Sequence, residues 1–215
     1  MRMRERTIFD HFLLRPVLRL ASRFILKITG WKVDGRVPNS PKYVMIAAPH
    51  TSNWDFVFTL LVCFSLKISP HILGKKELLE WPLGRFFPWL GIVPVDRSRS
   101  TNLVGQAVEA FESADRLVLL ITPSGTRSKV KRWKTGFYHI ARGANVPLAF
   151  GYIDYARKLV GIGGFMEASG DLDADMMRIK SFYVDIVGKH SVPPIRYVSS
   201  EVCVPQSCPQ SCPQS

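Results

Sequence analysis

The chain has 215 residues, near the size of one large domain, and 47% of them are hydrophobic, ample for a real core. Its 29 lysines and arginines against 17 aspartates and glutamates leave +12, a surplus that points to an anionic partner: nucleic acid, an anionic membrane surface or a phosphorylated substrate. No stretch of roughly 18 or more uncharged apolar residues is present, which excludes a confident transmembrane helix.

At the N-terminus, Arg15, Arg19, Arg23 and Lys27 recur every four residues, while Leu13, Leu14, Val17, Leu18, Leu20, Ala21, Phe24, Ile25 and Ile28 fall on the other side of a helix. This pattern predicts an amphipathic helix within residues 1–30 that lies at a membrane interface, its cations near anionic lipid. A surface helix covering the domain core is the competing reading. The arginines break the apolar run and no small-residue cleavage site follows, so no signal peptide is expected; Glu5 and Asp10 argue against a transit peptide.

Further along, strand-like and helix-like runs alternate. Strands are predicted at Lys42–Ala48 between Pro41 and Pro49, at His71–Leu73, Ile92–Val95, Leu117–Ile121, Val146–Tyr152 and Lys158–Ile162, the last two adjacent. Helices are predicted at Asp55–Leu66, Thr101–Ser113, Lys134–Gly143 and Leu172–Tyr183, the last capped by Asp171; Glu77–Leu90 is helical in part, broken by Pro82 and Pro88. Alternation of this kind argues an α/β domain over residues 31–190, with a mostly parallel central sheet flanked by helices. Residues 191–215 end in repeated Pro-Gln-Ser-Cys units and read as a low-complexity, disordered tail. Cys203, Cys208 and Cys212 match no zinc spacing, and no histidine follows His190, so neither a metal site nor a disulfide framework is expected, and a reducing compartment is. Cys63 lies in an apolar run and reads as core.

In an open α/β sheet, chemistry gathers at the carboxyl ends of strands. Two such ends carry polar clusters. The first is Pro49-His50-Thr51-Ser52-Asn53-Trp54-Asp55. His50 and Asp55 are five apart, about 140° round a continuous helix, so they would not face each other there. Pro49 instead places His50 in the turn before the helix, where its ring can fold back toward Asp55. Ser52-x-x-Asp55 resembles a capping box opening that helix. The chemical reading is a histidine base oriented by a carboxylate. The bland reading is a helix cap beside a loop histidine. No Gly-x-Ser-x-Gly elbow supplies a protein nucleophile, so the substrate itself would bring the hydroxyl. The second cluster, Thr122-Pro123-Ser124-Gly125-Thr126-Arg127-Ser128-Lys129-Val130-Lys131-Arg132-Trp133-Lys134, follows the strand Leu117–Ile121 with a glycine, hydroxyls and five cations.

HTSNWD, GKKEL, GIVPVDRS, TPSGTRS and NVPLAF together resemble the lysophospholipid and glycerol-phosphate acyltransferase family. Its first motif, histidine, four residues and aspartate, corresponds to His50 and Asp55. Its second places an arginine at Arg97. Its third, usually Glu-Gly-Thr-Arg, reads Ser124-Gly125-Thr126-Arg127, and its fourth is Val146-Pro147. The four occur in the family's order over residues 46–150.

The resemblance implies transfer of a fatty acyl group from acyl-CoA or acyl carrier protein, as co-substrate, to the hydroxyl of a lysophospholipid such as 1-acylglycerol-3-phosphate, in phospholipid biosynthesis, with no cofactor or metal. His50 would deprotonate the hydroxyl, Asp55 would orient His50, and Lys75 of Gly74-Lys75-Lys76-Glu77-Leu78, with Lys76 as the alternative, would meet the oxyanion. Arg97 and Arg127 would grip the acceptor phosphate, with Ser124, Gly125 and Thr126 in the same loop. The aromatic patch Trp81, Phe86, Phe87 and Trp89 reads as core or as the lining of an acyl groove. The implied place is the cytoplasmic face of a membrane, as a peripheral or monotopic protein. Nucleic acid is not an expected partner, because no recognition motif accompanies the charge. An acyl-thioester hydrolase is the alternative, as is a weakened relative, because Ser124 stands where the family has glutamate.

Overall fold

Pro41 and Pro49 bracket seven residues, and the first six, whose side chains alternate between two faces, form β2 (Lys42–Ala47) at the centre of the sheet. Val44 and Ile46 point into one core cluster, Tyr43 and Met45 into another. The computed structural model describes residues 7–75, 84, 86–95, 103–128, 130 and 132–190. Around β2 lie β1 (Lys32–Gly35), β3 (Pro70–Lys75), β4 (Ile92–Val95), β5 (Leu117–Ile121), β6 (Leu148–Asp154) and β7 (Leu159–Met166), in the order β1-β7-β6-β2-β5-β3-β4. The pairings are parallel except for β6 with β7. Residues 155–158 are too few for a crossover, so those two strands form an antiparallel hairpin.

The helices are α1 (Leu14–Ile28), α2 (Trp54–Leu66), α3 (Leu103–Ser113), α4 (Gly136–Gly143) and α5 (Leu172–Tyr183). Phe111, Phe137, Tyr138, Ile140, Ile179 and Tyr183 from α3, α4 and α5 are buried with Val44, Ile46, Leu119 and Leu148. The opposite face is covered by α2, on which α1 lies. The expected α/β architecture, with a mostly parallel sheet between helices, is therefore present. The expected adjacency of the last two strands is present as well. Asp171 caps α5, its side chain accepting from the Ala174 N–H at 3.0 Å.

Two details differ from the expectations, and the apolar side of α1 faces outward, as an interfacial helix requires. β1, too short and polar to carry a period-2 signal, adds an edge strand against β7. The Ser52–Asp55 capping box is half formed: Asn53 is the N-cap residue, Asp55 accepts the Ser52 N–H, and the Ser52 hydroxyl accepts from the Trp54 N–H instead of closing the box. On α1 the protein-facing side comprises Leu18, Ser22 and Leu26, so the widest apolar stripe turns outward: Leu20 is 73% exposed, with Val17, Phe24 and Ile28 beside it, and Phe12 and Leu13 just before the helix are exposed as well. Arg15 and Arg19 are half-buried along the protein-facing edge rather than standing clear of it. No helix among the described residues is long and apolar enough to cross a membrane. The tail at 191–215 lies outside the described residues, as do Trp81 and the Glu77–Pro82 part of the predicted broken helix.

Candidate active site

Parallel pairing sends the carboxyl ends of β2, β3, β4, β5 and β6 to one edge of the sheet. The loops leaving β2 and β5 therefore become neighbours, although 72 positions separate Pro49 from Ile121 in sequence (121 − 49). They share a cavity of about 720 Å³, well inside the size range of small-molecule sites. His50, Asn53, Thr122, Gly125, Thr126 and Arg127 line its polar side. Its apolar side runs between α2 and the sheet past Met45, Val62, Cys63, Ile68, Leu120 and Ile162.

The turn before α2 folds the imidazole back onto the helix start, and His50 Nδ1 lies 3.2 Å from Asp55 Oδ2. The same oxygen accepts the Thr51 N–H at 2.6 Å and the Ser52 N–H at 2.8 Å, while Oδ1 accepts the Tyr155 hydroxyl at 2.7 Å. The Asp55 side chain is 4% exposed, and that burial pushes its carboxyl pKa upward. The hydrogen bonds from His50, Ser52, Tyr155 and Thr51 outweigh burial and hold it below the ordinary value. Asp55 is therefore a carboxylate at neutral pH and can only accept. His50 must donate from Nδ1, which leaves Nε2 as the nitrogen that faces a ligand in the cavity.

The loop after β5 turns at Gly125, whose φ of +63° is a left-handed conformation that glycine adopts without strain. Ser124 Oγ donates to the Thr126 carbonyl at 2.7 Å, and the Lys134 N–H donates to the Pro123 carbonyl at 2.9 Å. The Lys134 ammonium lies against the α-carbon of Gly125: a side-chain carbon added there would sit 3.7 Å from Nζ. Arg127 is exposed and lines the cavity.

The structure brings His50, Asp55, Gly125, Thr126 and Arg127 around one cavity. Ser124 belongs to the same turn and spends its hydroxyl on the loop itself. Lys75 ends β3 on the same sheet edge, next to the cavity-lining Gly74. Arg97 lies outside the described residues, two positions beyond the end of β4. Of the aromatic patch, Phe87 lines the cavity, Trp89 packs on the core and Phe86 is exposed. Two contributors had no local signal. Tyr155 comes from 100 positions away, and Gly188 presses on Thr51 and Pro49 so closely that an added side-chain carbon would lie 2.9 Å from Thr51.

Residues 32–150 match the family model described as Acyltransferase. A curated relative, the 1-acyl-sn-glycerol-3-phosphate acyltransferase of Streptococcus pneumoniae (strain ATCC BAA-255 / R6), is 27% identical over 119 residues, covering 49% of this chain and 42% of that protein. The chain thus spans less than half of the curated relative's length. Among solved structures, the 1-acyl-sn-glycerophosphate (LPA) acyltransferase PlsC from Thermotoga maritima superposes with a TM-score of 0.55 at 15% identity, over 79% of this chain and 76% of that chain, a likeness of fold.

Proposed function

The chain belongs to the acyltransferase family whose model it matches over residues 32–150, and from that premise we propose that it moves a fatty acyl group from a thioester to the hydroxyl of a lysophospholipid, 1-acylglycerol-3-phosphate being the favoured acceptor. The observation that carries this reading is the His50–Asp55 pair, hydrogen-bonded at the rim of a cavity that is cationic on one side and apolar on the other. His50 Nε2 takes the proton of the acceptor hydroxyl as its oxygen attacks the thioester carbonyl. The C–S bond then breaks, the thiolate leaves, and the proton passes from His50 to sulfur. Asp55 steadies the imidazolium that exists between those two events.

Arg127 and Arg97 take the acceptor phosphate, the first from the turn at Gly125, where the Lys134 ammonium adds a further charge. Ser124, Gly125 and Thr126 set that turn. Lys75 is assigned to the oxyanion on the family's motif, where a fixed donor is commonly worth about 3–4 kcal/mol. The apolar side of the cavity suits an acyl chain, and Phe87 lies on its wall. The donor is acyl-CoA or acyl carrier protein. The outward apolar stripe of α1, flanked by Arg23 and Lys27, fits a peripheral position on a membrane, with the site at the cytoplasmic surface where acyl thioesters occur.

The test is acyl transfer by the purified protein with a panel of lysolipids and both donors, free fatty acid being measured alongside the diacyl product. Wild type should form the diacyl lipid, and His50→Ala should lose about 10²–10⁴-fold in turnover, the usual range for a general base. Free acid formed equally with and without lysolipid would replace transfer by thioester hydrolysis. Full transfer by His50→Ala would overturn the mechanism.

A further inference from the structure

Tyr155 stands directly after β6, in the hairpin turn to β7, and β6 is a parallel neighbour of β2. That pairing puts the start of the turn on the sheet edge where the His50 loop begins. The turn is held from below. Fully buried Asp154 accepts the Ala156 and Arg157 N–H groups at 3.0 and 3.1 Å, and its other oxygen accepts from Arg157 Nε at 2.6 Å. The Tyr155 N–H donates to the Val187 carbonyl at 2.9 Å. Its ring meets Trp31 and Phe58 edge-on, with centroids at 5.1 and 5.8 Å. Backbone, ring and turn thus fix the phenol before its hydroxyl is considered.

That hydroxyl is the hydrogen-bond donor at Asp55 Oδ1, whereas Oδ2 receives the Thr51 and Ser52 N–H groups and lies against His50. Burial and the bond to Asp55 push the phenol's pKa well up, so it remains a donor through the neutral range in which Asp55 is ionised. Without it, among the described residues, one oxygen of a buried carboxylate has no donor, and the orientation of the carboxylate rests on the bonds to Oδ2 alone. We propose that Tyr155 is a positioning residue: its hydroxyl pins Asp55 Oδ1, which keeps Oδ2 directed at His50 Nδ1 and holds the imidazole with Nε2 toward the cavity. The inference rests on the acyl-transfer reading for its catalytic consequence, and on geometry alone for the pinning itself.

Among the described residues, the titratable and charged groups around Asp55 are few. His50 faces it from the β2–α2 loop and Tyr155 from the hairpin turn; Arg127 lines the same cavity, and Lys189 and His190 sit over Trp54 and beside Thr51. A Tyr155→Phe substitution changes one bond among them and keeps the ring contacts.

Two measurements on Tyr155→Phe decide the matter. The first is nuclear magnetic resonance on the intact protein, following the carbon-13 signal of the Asp55 carboxyl against pH and the low-field proton of His50 Nδ1–H. The carboxyl should titrate at higher pH than in wild type, and the Nδ1 proton should exchange faster. The second is turnover with the best lysolipid: kcat should fall about tenfold, with KM for both substrates within about twofold, the loss expected for one hydrogen bond to a charged group. In an Asp55→Ala background the same substitution should cost nothing further. An unchanged Asp55 titration and an unchanged Nδ1 proton overturn the pinning. A tenfold loss that persists in the Asp55→Ala background shows that Tyr155 acts on something other than Asp55. If wild type transfers no acyl group, the functional reading falls, and the resonance measurements still decide the role of Tyr155.

Discussion

Asp55 is a buried carboxylate with both oxygens hydrogen-bonded, and everything proposed for His50 depends on that. Asp55→Asn keeps the volume but offers an amide in place of one oxygen, so the donors at Thr51, Ser52 and Tyr155 no longer all find acceptors. Its turnover should fall by about 10³-fold or more, as when the orienting carboxylate of a catalytic triad is neutralised, while KM moves little. Ser124 can be judged by the same reasoning. Its hydroxyl donates to the Thr126 carbonyl at the surface of the protein, a bond worth about 1 kcal/mol or less. Ser124→Ala should therefore raise the acceptor's KM a few-fold and leave kcat in place. Ser124→Glu, which installs the family's residue, should retain turnover in the acyl-transfer assay. A loss of tenfold or more in the glutamate variant would show that the serine hydroxyl is specifically required. The presence of the two polar clusters was legible in the sequence, because a proline, a histidine, a glycine and clustered cations follow apolar runs. The use of the Ser124 hydroxyl was not, since a serine beside a glycine has several carbonyls within reach and the turn geometry selects one.

Among the elements, α1 was plain in its amphipathicity, and its outward apolar stripe agrees with the interfacial reading over the core-covering one. Periodicity separates apolar from basic residues, but it does not say which side meets the protein. Leu26 and Ser22 are buried, whereas Leu20 and Phe24 face solvent. Each face makes a different prediction. Leu20→Glu with Phe24→Glu should weaken sedimentation with anionic vesicles by about tenfold or more, since each side chain carries about 1.5–3 kcal/mol of transferable apolar surface. The thermal midpoint of that double variant should stay close to wild type. Leu26→Ala should do the reverse, destabilising the fold by about 2–5 kcal/mol without first affecting vesicle binding. Unchanged vesicle binding by the double glutamate variant would remove α1 from the membrane-facing surface. The start of α2 was nearly as legible: Asp55 reaches back to the preceding loop as a cap would, and the extra partner at its other oxygen is what the local pattern could not contain.

For the molecule as a whole, hydrogen-bonded carboxylates set the response to acid. Asp55, Asp175 and Asp10 all have pKa values below the ordinary 3.8, because hydrogen bonds outweigh the burial that opposes ionisation; Asp175 takes Ser169 N–H, Ser169 Oγ and Tyr138 Oη on one oxygen. A folded-state value below the unfolded one adds stability above about pH 4, and that stability is lost as pH falls through and below it. Urea midpoints should therefore drop steeply between about pH 4 and pH 2, and Asp175→Asn should flatten part of that drop. The amino-acid sequence was sufficient for the α/β class, most of the elements, the likeness to acyltransferases and the grouping of His50, Asp55 and Arg127. Those features reside in local periodicity, in prolines and glycines at strand ends, and in motifs a few residues long. Strand order was not among them. The parallel placement of β5 and β6 on either side of β2 brought the Gly125 turn and Tyr155 to the histidine, and the packing of α1 on α2 left one apolar stripe of α1 away from the core. Such choices depend on which faces bury one another, a property of all the elements packed together, and Tyr155, 100 positions from the carboxylate it holds, has no place in any local pattern.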